Sequence, residues 1–236
     1  IENTDFRSHP IGTGPFKFQY WKEGVKLVLR KNPNYFETEN GQQLPYLDAV
    51  SITFVKDKQS SFLQFIQGEL DFISGLDPSY KDEILTKEGL LQLKYSDKIN
   101  LQSVPYLNTE YLGFLMDINS NTAKNVKLRQ AINYGFDRKK MLKYLRNNIG
   151  TPANNGFVPK GLPSFSENVI GYNYNSEKAK QLLIEAGFPN GEGLETIILS
   201  TTSSYLDLCE FIQSQLKEIG INVDVQVNPP STHRQM

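Results

Sequence analysis

The chain has 236 residues, 39% of them hydrophobic and 22% charged, which is enough for one large domain or two smaller ones. Its 25 basic and 26 acidic residues leave a formal net charge of -1, so no global field draws it to nucleic acid or to an anionic membrane. A single cysteine, Cys209, excludes an internal disulfide and a thiolate-rich zinc site. No apolar run approaches the roughly 20 residues that span a bilayer.

The first predicted elements are strands. Phe16–Trp21 and Val25–Arg30 both alternate apolar and polar residues, and Lys22-Glu23-Gly24 between them predicts a β-hairpin with a short loop. Asn32-Pro33-Asn34-Tyr35 is turn chemistry, and a loop runs on through Asn40-Gly41 to Leu44-Pro45-Tyr46. Leu47–Val55 predicts a third strand, with Val50, Ile52 and Phe54 on one face. Ser60–Gln67 predicts a helix stopped by Gly68. Leu70–Ile73 reads as a short strand, and Tyr80–Leu85 as a helix. Leu90–Tyr95, Leu101–Pro105 and Tyr111–Met116 read as strands.

From residue 119 onward the pattern turns helical. Val126–Phe136 has helical spacing, and Asp137 is placed to cap a helix over Arg138–Arg146. The Pro/Gly/Asn-rich stretch 147–167 is long for a connection within a domain. Ser176–Ala186 predicts a helix capped by Ser176 and stopped by Gly187. Glu195–Ser200, the amphipathic stretch Tyr205–Ile219 and Ile221–Val227 predict a strand–helix–strand unit with parallel strands.

Few residues carry overt chemistry. Gly12-Thr13-Gly14 invites a phosphate-loop reading, but no later Gly, Lys-Ser or Lys-Thr completes it, and a strand follows instead of a helix. A tight backbone crossing is the expectation there. His9 and His233 stand in no metal-ligand spacing, and no G-x-S-x-G elbow exists. Glu69 and Asp71 flank Leu70. On a strand they would share one side, as solvated charges or as the carboxylates of a hydrolase. Arg138, Lys139, Lys140, Lys143 and Arg146 read as one solvated helix face.

Several stretches together resemble one family. They are Pro10-Ile11-Gly12-Thr13-Gly14-Pro15-Phe16, Leu29-Arg30-Lys31-Asn32-Pro33-Asn34-Tyr35-Phe36, Leu44-Pro45-Tyr46-Leu47-Asp48, Gln67-Gly68-Glu69-Leu70-Asp71, Tyr111-Leu112-Gly113-Phe114 and, most strongly, Val126–Arg138. Residues 174–183 and 215–223 fit as well. In this order the chain resembles the peptide/nickel family of extracytoplasmic solute-binding proteins, the dipeptide- and oligopeptide-binding type that serves ABC importers.

The resemblance implies an α/β chain, an internal piece of a two-lobed periplasmic-binding-protein-like fold of type II, in the peptide-binding cluster. Residues 1–109 would be part of the first lobe and 110–236 the start of the second. It implies a non-catalytic protein without cofactor or metal, which closes its lobes on a peptide or other small solute and presents it to ABC permease subunits. Its location would be periplasmic or otherwise extracytoplasmic, with a membrane link only through the importer or a lipid anchor outside these residues. Carried over by position, the ligand contacts would be Ser74, Gly75, Leu76, Tyr106, Asn108, Tyr111 and Gly113. Gly75-Leu76 and Gly113 depart from the oligopeptide pattern, so sugars and nickel chelates stand beside peptides as candidate solutes. The alternatives are a carboxylate-based hydrolase and a sensory or chaperone-like relative. The Pro10–Phe16 stretch is expected to touch no ligand.

Overall fold

The structure, a computed structural model, describes residues 5–55, 57–75, 80–104, 106–116 and 120–235, without the side chains of residues 58, 121 and 123. Two compact units divide the chain, Ile1–Leu76 and Asp77–Met236.

The first unit is built on an antiparallel sheet in the order β1-β2-β5: β1 Phe16–Lys22, β2 Lys26–Lys31 and β5 Ala49–Thr53. Cross-strand partners Phe18, Leu29 and Val50 form one apolar row and Trp21, Leu27 and Ile52 the next. This is how alternation stabilises a sheet. A register shift between Phe18 and Tyr20 puts Trp21 back in line with the apolar face. Gly24, at φ 67°, makes the tight hairpin turn. A two-stranded ribbon follows, β3 Thr38–Glu39 with β4 Gln42–Gln43, turning on Asn40 and Gly41 at φ 51° and 79°. Two left-handed residues in succession are what such a turn requires.

Side chains lace the loops of this unit together. Buried Asn32 donates from Nδ2 to the Gly14 carbonyl at 3.0 Å, and its Oδ1 accepts the Asn34 amide at 3.1 Å. Gln43 Nε2 donates to the carbonyls of Pro33 and Tyr35, both at 2.8 Å. Helix α1, Lys58–Ile66, starts at Asp57, whose carboxylate accepts the Ser60 amide, and Gly68 follows its end at φ 81°. Two expectations fail here. Residues 70–73 form no strand, because no described segment pairs with them. Gly12 and Gly14 make no close crossing, since an added Cβ at either would meet nothing within 4 Å.

The second unit is organised by apolar burial. After the short helices α2 (Lys81–Ile84) and α3 (Asn121–Lys124), helices α4 (Val126–Tyr134), α6 (Ser176–Glu185) and α7 (Leu206–Lys217) bring Leu128, Ala131, Ile132, Ala179, Leu182, Leu183, Ile212 and Leu216 into one cluster. Phe136, Ile219 and Ile221 close it. Strands β6, Ile197–Thr201, and β7, Val223–Val227, pair in parallel across α7, as the strand–helix–strand spacing predicts. Asp137 caps α5, Arg138–Leu145, by accepting the Lys140 amide at 3.0 Å. The cap of α6 is Asn175 and not Ser176: its Oδ1 accepts the Lys178 amide at 2.9 Å.

Four further expectations are corrected. Residues 90–95 make an isolated bridge, Leu85 with Leu91, and a 3-10 turn over Leu93–Tyr95; 101–104 and 111–116 carry no ladder. Alternation alone makes no strand, because the backbone groups need a neighbouring strand to bond. The basic run is not one solvated face. Arg138 is largely buried, donates to the Asn133 carbonyl at 2.9 Å and to its Oδ1 at 3.1 Å, and lies 4.2 Å over the Phe136 ring. Arg146 is tied to Asp207; Lys139, Lys140 and Lys143 remain exposed.

Candidate functional site

The predicted contact residues fall in both units. In the first, Ser74 and Gly75 are exposed in an irregular segment beyond α1, and Gly75 takes φ 76° with open space where a Cβ would stand. Leu76 lies outside the described residues. Glu69 and Asp71, weighed as hydrolase carboxylates, are exposed and sit on no strand.

In the second unit the segment 106–116 runs beside the helical core. Leu112 and Phe114 are half-buried and pack on that core, while Tyr111, Gly113 and Leu115 are exposed. This in-and-out alternation turns Tyr111 and Gly113 away from the core and uses the apolar neighbours as anchors. Tyr106 is 85% exposed and Tyr111 74%, unusual for rings of that size. Tyr111 is braced at its edge by Phe157, with centroids 5.3 Å apart, and Thr109 Oγ1 donates to the Phe157 carbonyl at 2.8 Å. Asn108 is exposed, its amide donating to the Tyr106 carbonyl at 2.6 Å. At Gly113 an added Cβ would make only ordinary contact with the Tyr111 ring at 3.5 Å. Gly113 also lines a cavity of about 290 Å³ between residues 112–115 and β6.

A polar cluster stands beside this segment, just past the carboxyl end of β6. The Tyr205 hydroxyl donates to Glu110 Oε1 at 3.3 Å. The Glu110 charge, with burial and that hydrogen bond, raises the Tyr205 phenol above its ordinary value. Arg146 grips Asp207, at the start of α7, with both guanidinium nitrogens at 2.6 and 3.1 Å. Partial burial pushes the Asp207 carboxyl upward, but Arg146 and the Leu208 amide outweigh it and hold the group below the usual aspartate value. The arrangement offers stacking rings, a carboxylate and hydroxyls outside a strand's carboxyl end, the place where open α/β sheets bind ligands. Glu110, Phe157 and Tyr205 were not among the predicted contacts. Tyr205 was legible in principle, because Thr201-Thr202-Ser203-Ser204 directly after an apolar strand marks a strand-end loop. Phe157 was not, since only tertiary contact brings it to Tyr111.

Among the described residues no group of three or more His, Cys, Asp or Glu is placed to hold a metal ion, and no helix is long and apolar enough to cross a membrane.

The whole chain, residues 1–236, matches the family described as bacterial extracellular solute-binding proteins, family 5, middle. The chain belongs to that family. It is 31% identical to the oligopeptide-binding protein AppA of Bacillus subtilis, covering 96% of this chain and 41% of that protein. It is equally 31% identical to heme-binding protein A of Haemophilus influenzae, covering 92% and 37%. Among solved structures, the periplasmic binding protein DppA of Helicobacter pylori, in complex with the peptide STSA, superposes with a TM-score of 0.72 at 26% identity, over 95% of this chain and 40% of that one. The fold is thus that of the type II, peptide-binding cluster. The chain spans about two fifths of the length of the curated relatives it matches. Its family consists of solute-binding proteins, and no finding supports the hydrolase alternative.

Proposed function

We propose that the whole protein is the extracytoplasmic solute-binding component of an ABC importer. In this reading residues 1–109 belong to one lobe and 110–236 to the other. Closure of the lobes traps a peptide or a related small solute and presents a closed shape to the permease. Ser74, Gly75, Leu76, Tyr106, Asn108, Tyr111 and Gly113 line the cleft, joined by Glu110, Phe157 and Tyr205. A lipid anchor or a free periplasmic life fits this role equally.

The observation that carries the reading is the outward-facing run from Tyr106 to Gly113 at the carboxyl end of β6, in a chain of this family. Two exposed tyrosines, one braced from behind, supply large rigid contact area with a polar tip, and neighbouring backbone groups can pair with a peptide. The names of the relatives support a small-solute ligand without selecting one: they are an oligopeptide binder, a heme binder and glutathione binders.

The test uses the full-length protein. Mass spectrometry of co-purifying small molecules names the solute, and thermal shift then measures its binding. Tyr111→Ala is expected to weaken that binding about tenfold or more, the scale of a buried aromatic anchor. Unchanged affinity in both Tyr106→Ala and Tyr111→Ala would move the site elsewhere. Release of a cleaved product would overturn the non-catalytic reading.

A further inference from the structure

Three stretches that carry the family resemblance meet at one place in the first unit, and the proposed transport site uses none of them. Pro15 and Phe16, Tyr35 and Glu37, and Leu44, Pro45, Tyr46 and Leu47 line a hollow of about 330 Å³. That volume is at the lower end of small-molecule pockets and fits a group of a few heavy atoms.

Its walls are pre-set by bonds within the unit. The Asn32 amide donates to the Pro15 carbonyl at 2.8 Å, and the Leu44 amide donates to the Glu37 carbonyl at 3.1 Å. Gln43 Nε2 ties down the backbone on both sides of Asn34, through Pro33 and Tyr35. A ligand entering here would order little that is not already ordered.

The chemistry of the lining has one sign. Three of the lining residues are aromatic, four are aliphatic or proline, and the one charged residue is Glu37. The Tyr35 hydroxyl donates to Glu37 Oε2 at 2.6 Å, and the Tyr46 hydroxyl donates to Glu39 Oε2 at 2.6 Å. Each carboxylate holds its phenol proton firmly and raises that phenol above its ordinary value. A phenol that donates to a carboxylate has a more electron-rich ring face. Among the described residues, no ion pair neutralises Glu37 or Glu39. Aromatic faces with uncompensated carboxylates at the rim attract cations, and alkylated ammonium groups above all, because these lose little hydration on entering.

We propose that this hollow is a binding site for a small organic cation of the alkylammonium class, separate from the solute site and independent of its assignment. The cation seats its methyl groups against Phe16, Tyr35 and Tyr46 and faces the carboxylate of Glu37, while Glu39, outside the lining, acts through the Tyr46 hydroxyl bonded to it. The Pro15-Phe16 motif, expected to touch no ligand, forms one wall.

Calorimetry on the full-length protein tests this with choline and its neutral isostere 3,3-dimethylbutan-1-ol. Choline is expected to bind with a dissociation constant of about 1 mM or below, and the neutral isostere at least about fivefold more weakly. Tyr46→Ala should weaken choline binding about two- to fivefold, Glu39→Gln should weaken it, and Tyr46→Trp should retain or strengthen it. Thermal midpoints of the variants verify that the sheet is intact. Equal binding of the two probes, or no choline binding at 10-fold above about 1 mM, overturns the proposal. So does choline binding that survives Tyr46→Ala and is lost in Tyr111→Ala, which would place the cation in the solute cleft. A transport-site failure leaves the Tyr46 and Glu39 outcomes untouched, so the two readings fail separately.

Discussion

The two compact units of this chain are stabilised by different means. In residues 77–236 three helices bury a continuous cluster, with Leu128, Ala131, Ala179, Leu183 and Ile221 fully excluded from solvent. In residues 1–76, Phe62 and Pro45 are the buried apolar side chains among the described residues, and Phe62 still keeps 8% of its surface exposed. There the strand ladders and the bonds of Asn32 and Gln43 order the loops instead. A helix can turn one stripe to a core, whereas a small sheet with half-exposed faces must draw more of its order from hydrogen bonds. The exposed groups follow the same division: rings on an extended segment braced by a core in one unit, and loops laced by amides in the other.

The contrast can be broken by mutation, because the sole tryptophan, Trp21, lies in the sheet of the first unit. Leu183→Ala should have the largest effect, a loss of about 2–5 kcal/mol from the second unit by cavity formation. Urea unfolding followed by far-UV dichroism should show it, with the Trp21 fluorescence transition held in place. Asn32→Ala should do the reverse. Loss of its two backbone bonds in a buried setting costs about 1–3 kcal/mol, read in the Trp21 transition. If both probes move together in both variants, the two units unfold as one and the distinction fails.

A smaller effect comes from acid. Asp207 is held below the ordinary aspartate value in the folded chain, so the stability it contributes is present above the unfolded aspartate value and is lost as pH falls through the depressed folded one. The helical transition should therefore weaken from about pH 4 downward, and Arg146→Ala should flatten that dependence. The pair is part-exposed, so the change should stay below about 1 kcal/mol. The smallest effect is local. Glu110→Gln removes the charge that raises Tyr205, so Tyr205 should ionise at lower pH, nearer the ordinary phenol value, in an ultraviolet or NMR titration. An unmoved phenol would mean that Glu110 and Tyr205 do not form the polar cluster beside Tyr111.

Much of this was readable from the chain alone, wherever the physics is local. The hairpin at Lys22–Val25, the cap at Asp137, the stops at Gly68 and Gly187 and the parallel β6–α7–β7 unit follow from spacing and turn chemistry between near neighbours. Tyr106 and Tyr111 came from the family resemblance, and the outward aim of Tyr111 then followed from alternation about Leu112 and Phe114. Reading failed where a partner distant in sequence decides. The short apolar run 70–73 forms no strand without a neighbour, and 90–95 makes only the Leu85–Leu91 bridge and a tight turn. Arg138 is charged and sits in a basic run, yet the Asn133 carbonyl and the Phe136 ring draw it inward.

The sequence by itself therefore determined the longer helices, the turns and the family, because caps, periodicity and motif order are properties of a short stretch of chain. The tertiary structure alone decided that Phe157 braces Tyr111, that Tyr205 answers Glu110, and that Pro15, Tyr35 and Tyr46 share one hollow. Those contacts join residues from 11 to 95 positions apart. Only the packing of the whole unit can bring such residues within the few ångströms at which rings and carboxylates act on one another.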